Sequence, residues 1–408
     1  MNILFLHPNF PAQFKHTCKF FALSGHDVRF LCQTHYNRTV PGVKRLCLKK
    51  QLGHDYLINN HKSHGSKDQL MAQQYLEGMR AIHNGSWKPD IVISHSGWGC
   101  GLYTKLVWRD CIHISFVEWW FDIHGPMFNY DPKNKYLATY NKKPELFYNR
   151  NQNISLELAS SDLIIAPTEW QKSQLPKIYK DRALVVHDGI NFQYYYEESN
   201  KKSRSNSPLI TYGTRGMEPI RCFKEFIEEL PYLLKRYENL HVQIAGVDEM
   251  NYGGKKPSKS ESWGKYAKRF LTEEGVIDRV KFMGRLPQDK YRNWLHSSWM
   301  HVYLTQPFVA SWSLLESMAA NCFILANSVP PVEEFCNVRN SWLVDSRKKG
   351  FLEEPAETLM ASDPVLETLR VAAGETARHY SHQETNEKWR RVLAAHSSIG
   401  IDREALFS

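Results

Sequence analysis

Short apolar runs alternate with amphipathic stretches along most of the chain. Ile3–Leu6 is an apolar run ended by His7-Pro8, which predicts a buried strand followed by a loop. Apolar residues at three- and four-residue spacing then predict a helix over Phe14–Leu23, with Gly25 suited to its C-terminal cap. Val28–Leu31 is the next apolar run. Such a strand, helix, strand unit is typical of a parallel sheet covered on both faces.

The same alternation continues on both sides of one polar segment. Before this segment, helices are predicted over 67–84, 102–108 and 152–159, and strands over 90–94, 112–117, 163–166 and 183–186. After it, strands are predicted over 209–212, 241–245, 280–283, 301–304 and 323–326, and helices over 220–237, 290–296 and 314–319. The segment itself, Glu197–Pro208, is rich in Lys, Ser and Asn and predicts a linker.

The sequence therefore predicts an α/β protein of two doubly wound, Rossmann-like domains that face each other across a cleft. Residues 1–196 form the first domain, 197–208 the linker and 209–374 the second domain. The C-terminal segment 375–408, helical to about residue 395, has no strand after it and is expected to pack back on the first domain.

Composition excludes several classes of protein. With 408 residues, 42% hydrophobic and 23% charged, the chain is neither disordered nor low in complexity. Its eight cysteines form no C-x-x-C pair, so we expect free thiols in the cytoplasm rather than a zinc site or disulfides. No apolar stretch approaches the roughly 20 residues of a membrane span. Any contact with the inner face of a membrane is therefore expected to be peripheral.

Basic residues outnumber acidic ones by 52 to 43, which suits a polyanionic partner. The segment Gly253–Arg269 concentrates Lys and Arg; a solvated insertion is the favoured interpretation, and contact with anionic lipid or an anionic acceptor is the alternative. Because no helix-turn-helix, RRM or zinc module is recognisable, we do not expect nucleic acid binding.

Two stretches of the second domain could bind a phosphorylated ligand. Arg215 and Arg221 follow a predicted strand, where two guanidinium groups could converge on a diphosphate; solvent-exposed surface arginines are the alternative. Further on, Ser311 and Ser313 precede a predicted helix whose N-terminal amides attract an anion. Glu316 lies one turn into that helix among apolar residues, so its carboxylate needs a cation or the vicinal hydroxyls of a ribose.

Together these pieces resemble the GT-B fold glycosyltransferases of family 4 over nearly the whole chain. The marks in the first domain are the N-terminal strand ending at His7, the segment Ser161–Lys172 and the run His187–Asn191. The resemblance implies that Arg215 and Arg221 clamp the donor diphosphate and take part in catalysis. It also implies a donor site made of one set of residues: Arg215, Arg221, Gly284, Arg285, Ser311, Ser313, Leu314 and Glu316.

The chain departs from the family pattern at one glutamate of the E-x7-E motif. Glu316 matches the second glutamate, which in the family binds the ribose, but Phe308 stands where the first should contact the donor sugar. Ser311 replaces the usual glycine of the phosphate loop, which is tolerable if its φ is negative.

Candidate acceptor residues lie in the first domain. Asn9 and Gln13 occupy the loop after the first strand, where hydrogen bonding to substrate and helix capping by Asn9 are equal alternatives. Glu118 falls nearest the position of a family histidine close to the anomeric carbon, and is assigned a catalytic role. Trp119, Trp120 and His124 follow; the aromatic rings either stack on sugar faces or cover the strand end.

The resemblance implies a retaining glycosyltransferase that needs no metal or other cofactor. It would move a sugar from a nucleotide-diphosphate donor, expected to be UDP-linked, to a hydroxyl of a glycan, lipid-linked or protein acceptor in bacterial polysaccharide, glycolipid or glycoprotein assembly. The absence of an Asp-x-Asp pair agrees with metal independence. A nucleotide-sugar epimerase of the same fold and a non-catalytic glycosyltransferase partner subunit are the alternatives.

Overall fold

The computed structural model describes residues 1–34, 37–48, 64–137, 144–196, 205, 207–361 and 364–396. The chain divides into two compact units. Unit 1 comprises residues 1–123, 143–189 and 382–408, and unit 2 comprises residues 124–142 and 190–381. The predicted linker, 197–208, lies outside the described residues except at positions 205, 207 and 208.

Thirteen strands and sixteen α-helices are formed by the described residues. The strands are β1 Asn2–Leu6, β2 Asp27–Cys32, β3 Val43–Cys47, β4 Ile91–His95, β5 Ile112–Phe116, β6 Leu163–Ala166, β7 Ala183–Val185, β8 Leu209–Gly216, β9 His241–Val247, β10 Val280–Gly284, β11 Met300–Tyr303, β12 Ile324–Asn327 and β13 Trp342–Val344. The helices are α1 Lys15–Leu23, α2 His64–His83, α3 Thr104–Val107, α4 Pro126–Asn129, α5 Glu145–Ser160, α6 Glu169–Ser173, α7 Lys177–Lys180, α8 Phe192–Tyr195, α9 Phe223–Arg236, α10 Trp263–Glu273, α11 Gln288–Ser297, α12 Trp312–Ala319, α13 Pro330–Glu333, α14 Glu353–Met360, α15 Val365–Arg378 and α16 His382–His396.

Unit 1 is built on a parallel sheet with the strand order β3-β2-β1-β4-β5-β6-β7. Phe5 in β1 pairs with Phe30 in β2 and Ile93 in β4, and all three side chains are fully buried. This burial explains the unbroken apolar runs, because helices cover both faces of a parallel sheet. The chain moves outward in opposite directions from β1 and β4, so the sheet switches direction between these two strands.

Unit 2 repeats the architecture with the strand order β10-β9-β8-β11-β12-β13, also parallel. Tyr212 in β8 pairs with Ile244 in β9 and with Val302 in β11 at the centre of the core. Here the direction switches between β8 and β11. The predicted α/β class with two doubly wound, Rossmann-like sheets is therefore confirmed.

Several elements differ from the prediction because their sequences lack a long apolar run. β3 is an edge strand whose residues are only partly buried, so it has no apolar run. β13 has only three residues. The basic segment 253–269 is not wholly a solvated insertion, because α10 begins at Trp263, which is 1% exposed in the core of unit 2.

The units are not contiguous in sequence, unlike the predicted domains. Residues 124–142 belong to unit 2, where the Tyr136 ring lies 4.9 Å from the Trp263 ring and Asn134 Nδ2 donates to Glu225 Oε1 at 3.1 Å. The last helical stretch divides at residues 379–381: α15 packs in unit 2, whereas α16 belongs to unit 1. Residues 397–408 lie outside the described residues.

No helix in the described part of the chain combines the length and apolar character that crossing a bilayer would require.

Candidate active site

The carboxyl ends of β8, β9, β10 and β11 border a cavity of about 570 Å³ in unit 2. It lies where the sheet switches direction, which is the usual ligand position in open α/β sheets. The cavity is lined by seven of the eight predicted donor residues: Arg215, Arg221, Gly284, Arg285, Ser311, Ser313 and Glu316. The eighth, Leu314, is fully buried in the core because it lies on the sheet-facing side of α12, and its amide donates to Ser311 O.

Arg221 is the most confined cation of this cavity, being only 7% exposed. Its Nη1 atom donates to Thr305 Oγ1 at 2.7 Å and to the Val309 carbonyl at 3.4 Å. The guanidinium carbon lies 5.2 Å from the centre of the Tyr252 ring. Among the described residues no carboxylate forms an ion pair with Arg221. The site therefore holds a buried positive charge whose direct partners are neutral.

The surroundings keep Arg221 charged despite its burial. Burial disfavours the charge, but Tyr303, Tyr252 and the carboxylate of Glu218 outweigh it and raise the pKa of Arg221. Glu218 is itself fully buried, and its Oε2 atom accepts hydrogen bonds from the amides of Asn251 and Tyr252 at 3.0 and 2.8 Å. Glu218 thus fixes the loop that presents the Tyr252 ring to the guanidinium.

Arg215 and Arg285 border the same cavity but are exposed. Neither makes a hydrogen bond or ion pair with the part of the chain that the structure describes. Exposed cations of this kind act through a screened field, so we expect a weaker contribution from them than from Arg221.

Glycine is required at the floor of the cavity. Gly246, near the end of β9, has φ +142°, and a Cβ atom there would lie 2.3 Å from the Thr214 carbonyl oxygen. Gly284, which ends β10, has φ +64°, in the left-handed region that other residues adopt at a cost. The backbone can therefore turn sharply at both strand ends and leave space for a ligand.

The N-terminus of α12 forms part of the wall of this cavity. Ser311 is the N-cap, with φ −83°, and its hydroxyl accepts from the Ser313 amide at 3.3 Å. The negative φ confirms that a serine can replace the usual glycine without strain. The amide of Ser311 donates to the Tyr303 hydroxyl at 2.7 Å. A helix N-terminus with small residues favours an anion at this point.

Glu316 lines the cavity from the second turn of α12. Burial raises the pKa of its carboxyl to about 7, although the hydroxyls of Tyr195 and Tyr291 oppose that shift. The carboxyl of Glu316 therefore titrates in the physiological range. Its ionised form accepts hydrogen bonds from hydroxyl groups, and its protonated form is a neutral acid.

The position of the missing glutamate is occupied by aromatic packing. The Phe308 ring lies 5.5 Å from the Tyr252 ring, which in turn lies beside Arg221. Gln306, two residues earlier, is buried with its Nε2 atom 3.5 Å from Cys222 Sγ. No carboxylate from this loop reaches the guanidinium.

A second group of polar residues lies at the carboxyl edge of unit 1, at its own switch point. His7 follows β1, His95 ends β4 and Glu118 follows β5. His95 Nδ1 accepts from the Gly97 amide at 3.2 Å, so Nε2 carries the proton and donates to Glu118 Oε2, also at 3.2 Å. The His7 ring lies edge-on to the His95 ring with centroids 5.1 Å apart.

The acceptor residues predicted in the first loop have partners within unit 1. The side-chain oxygen of Asn9, Oδ1, accepts from Thr34 Oγ1 at 2.8 Å. The backbone amide of Asn9 donates to His7 Nδ1 at 2.9 Å. Asn9 caps no helix, since the 3-10 helix Ala12–Phe14 follows Pro11. Gln13 lies half-buried in that short helix. The Asn9 side chain therefore holds this loop to the segment that follows β2.

The remaining predicted acceptor residues lie elsewhere. Trp119 is 8% exposed beside the Trp170 ring, and Trp120 packs against Tyr179 and the core below it. This packing favours the alternative in which the two tryptophans cover the strand end. His124 is exposed and belongs to unit 2, not to the predicted first domain.

Several lining or supporting residues were not singled out from the sequence. They are His95, Trp98, Glu218, Tyr252, Tyr291 and Tyr303. His95 and Tyr303 end strands β4 and β11, so the rule that ligands bind at the carboxyl ends of strands could have selected them. Glu218 lies only three residues before Arg221, and its carbonyl accepts from the Arg221 backbone amide at 3.1 Å. Tyr252 reaches Arg221 only through the folding of its loop, for which the sequence carries no signal.

Comparison with known proteins identifies the first part of the chain. Residues 24–195 match the family model described as "Glycosyl transferase family 4 group". The chain is a glycosyltransferase, and the part of it that is similar to family 4 is residues 24–195, less than half of its length. No curated protein sequence gives a significant match to it.

Solved structures share the fold of this glycosyltransferase at low sequence identity. Sucrose-phosphate synthase from Thermosynechococcus elongatus is 14% identical with a TM-score of 0.71, covering 97% of this chain and 99% of that one. The structures of Anabaena HepE are 12–14% identical to this chain. The HepE complex with UDP and glucose is 14% identical, with a TM-score of 0.68, and the match covers 97% of this chain and 99% of that one.

A third similar structure is a putative UDP-N-acetylglucosamine 2-epimerase from Listeria monocytogenes. It is 14% identical with a TM-score of 0.58 and covers 98% of both chains. The two-sheet GT-B architecture is thus common to transferases and to a protein described as an epimerase. The fold of the glycosyltransferase does not by itself specify its substrates.

Proposed function

We propose that this glycosyltransferase transfers a sugar from a nucleotide-diphosphate donor to a hydroxyl acceptor, with UDP as the nucleotide. The observation that carries the proposal is Arg221, a buried guanidinium without an ion-pair partner among the described residues, on the wall of the strand-end cavity. A diphosphate would supply the missing negative charge. The HepE structures containing UDP support the choice of nucleotide.

Each part of the cavity has a task in this proposal. Arg221 and the positive N-terminal end of α12 attract the diphosphate, and Arg215 adds a more exposed charge. Glu316 accepts hydrogen bonds from the ribose hydroxyls, and the strand end at Gly284 and Arg285 borders the nucleoside.

The chemical step then needs charge stabilisation at the leaving group. The bond between the anomeric carbon and the phosphate oxygen breaks, and its electron pair stays on the diphosphate. The acceptor oxygen bonds to the same carbon from the same face, and its proton passes to the departing phosphate oxygen. Fixed cations aimed at the diphosphate stabilise this transition state more than the ground state. We therefore propose a retaining reaction without a metal.

The acceptor would be a glycan, a lipid-linked glycan or a glycoprotein, met in the cytoplasm or at a membrane surface. All eight cysteines are free and seven of them are buried, which agrees with a reducing compartment. The +9 charge of the chain would favour peripheral contact with anionic lipid.

Calorimetric titration with uridine, UMP and UDP tests the donor site. We expect the β-phosphate to add most of the affinity, with no loss in a metal chelator, because Arg221 and α12 contact it. Equal affinity for UMP and UDP would contradict the diphosphate assignment. A chelator that abolishes UDP binding would contradict metal independence.

A second assay separates the transferase from its alternatives. Nucleotide release from a UDP-sugar should rise when an acceptor is added. An epimerase would instead interconvert UDP-sugars without an acceptor, and a non-catalytic partner subunit would release no nucleotide from any donor.

A further inference from the structure

Trp98 is an exposed aromatic side chain at the switch point of the unit 1 sheet. It ends the 3-10 helix Ser96–Trp98, which directly follows β4, and it is 38% exposed. The indole ring lies 6.3 Å from the His7 ring and 6.4 Å from the His95 ring, both of which are buried. One part of the indole is therefore packed against fixed imidazoles, while another part is open to a ligand.

A hydrogen-bond acceptor is held by His95, one of the two imidazoles against which this indole packs. The side chain of Glu118 is 46% exposed, and its Oε2 atom is held by His95 Nε2 at 3.2 Å. The Glu118 carbonyl accepts from Gln171 Nε2 at 2.6 Å, which fixes the backbone as well. The carboxylate is thus oriented from both ends and still has accessible lone pairs for hydroxyl protons.

The charges at this edge disfavour an anionic ligand. Glu118 is a carboxylate, and the neighbouring His7 is kept neutral because burial, and secondarily His95, lower its pKa. A sugar ring fits these features, since it offers apolar C–H groups to an aromatic face and hydroxyl protons to a carboxylate. The headgroup of an anionic lipid would instead meet a like charge.

We propose that the edge of unit 1 binds a neutral sugar ring of the acceptor, with Trp98 as the stacking surface and Glu118 as the hydroxyl ligand. His95 acts as a positioning residue through its hydrogen bond to Glu118. This inference rests on the proposed transferase function, and it narrows the acceptor to a glycoside.

Fluorine NMR of the full chain labelled with 5-fluorotryptophan tests the proposal without any activity assay. The chain has 12 tryptophans, and Trp98→Phe and Trp312→Phe assign the two signals that matter. The probes are the methyl glycosides of glucose, galactose, mannose and N-acetylglucosamine. We expect at least one of them to shift the Trp98 signal more than any other, with a dissociation constant on the order of millimolar for a single ring.

Variants and a competing ligand make the test decisive. Glu118→Gln should weaken the responding glycoside about tenfold, because a charge-assisted hydrogen bond is lost. Tyr148→Ala removes another exposed aromatic ring of unit 1, 60% exposed, and should leave the affinity unchanged. If no glycoside shifts the Trp98 signal, if Glu118→Gln binds as tightly as the wild type, or if phosphatidylglycerol vesicles shift it and glycosides do not, the proposal is wrong.

The same spectra report on the donor site separately. Trp312 is 43% exposed and lines the cavity of unit 2, so UDP should shift its signal. A glycoside response of Trp98 without a UDP response of Trp312 would overturn the proposed donor and leave the sugar site standing. The reverse result would overturn the sugar site alone.

Discussion

Each unit buries one glutamate whose carboxyl pKa is raised to about 7 by burial, Glu157 in unit 1 and Glu316 in unit 2. Glu157 on α5 is fully enclosed, and its Oε1 atom accepts from Ser94 Oγ at 2.6 Å. Ser94 Oγ also lies 2.9 Å from His113 Nε2 in the same buried network. Glu316 has an equally displaced pKa but borders a cavity.

A displaced pKa reports the burial of a carboxyl group, whereas access of a ligand to that group decides whether it has a function in binding. A serine, a histidine and a glutamate in contact could suggest nucleophilic catalysis, yet Ser94, His113 and Glu157 are all 0% exposed. Glu316, in contrast, shares its cavity with the buried cation of Arg221. We therefore expect Glu157 to control stability and Glu316 to control ligand binding.

The largest effect is expected from Glu157→Gln on stability. Between pH 4.5, where the unfolded carboxyl ionises, and about pH 7, the folded state binds more protons than the unfolded state. The contribution of Glu157 to stability therefore falls by about 3 kcal/mol as pH rises through this window, and it does not change further above it. Glu157→Gln should remove this part of the pH dependence and be more stable than the wild type at about pH 8. Urea unfolding of the wild type and the variant, at a pH below 4.5 and at a pH above 7, measures the two free energies of unfolding.

Glu77→Gln is the matched control, because Glu77 is exposed on α2 of the same unit. It should keep the pH dependence of the wild type. Parallel stability curves for Glu157→Gln and the wild type would show that burial does not retain the proton on Glu157.

Arg221→Ala should have the largest effect on catalysis. Losing a buried, charged donor should lower kcat/KM for a nucleotide sugar by about 30-fold or more, which corresponds to about 2 kcal/mol. Arg236→Ala, on the exposed side of α9 with Glu357 as partner, should leave kcat/KM unchanged. Undiminished turnover in Arg221→Ala would remove the diphosphate clamp from the mechanism.

Glu316→Gln sharpens the contrast with Glu157 through the pH dependence of binding. Because the carboxylate is the better acceptor for ribose hydroxyls, UDP affinity should rise by about tenfold as pH increases through 7. The variant should lose this rise in affinity. Because UDP ionises in the same way in both titrations, subtracting the variant's pH dependence from that of the wild type removes the contribution of UDP. Calorimetry over this range measures both. A rise of equal size in the variant would assign it to another group.

The smallest effect is expected at the exposed rim of the donor cavity. Arg215→Ala and Arg285→Ala should each reduce UDP affinity by less than about tenfold, and added salt should shrink the difference because exposed charges are screened. Affinity measured at low and high salt tests this. A loss as large as that of Arg221→Ala, and insensitive to salt, would mean that the exposed arginine becomes enclosed by the bound ligand.

Local pattern alone determined most of the fold. Ile3–Leu6 of β1 and the whole of β6 are buried, unbroken apolar runs, so the positions of these strands follow from the sequence. The donor residues Arg221 and Glu316 could also be predicted from the sequence. Arg221 follows a predicted strand, and Glu316 lies near the start of a predicted helix. Parallel topology then brings such strand ends to one edge.

Tertiary structure alone decided which of these groups are open to a ligand. Glu157 and Glu316 both look like polar residues on amphipathic helices, and only packing encloses one and exposes the other. The pair of His95 and Glu118 spans 23 residues and forms because β4 and β5 are neighbours in the sheet. Burial and long-range contacts depend on how distant segments pack, which no local pattern in the chain records.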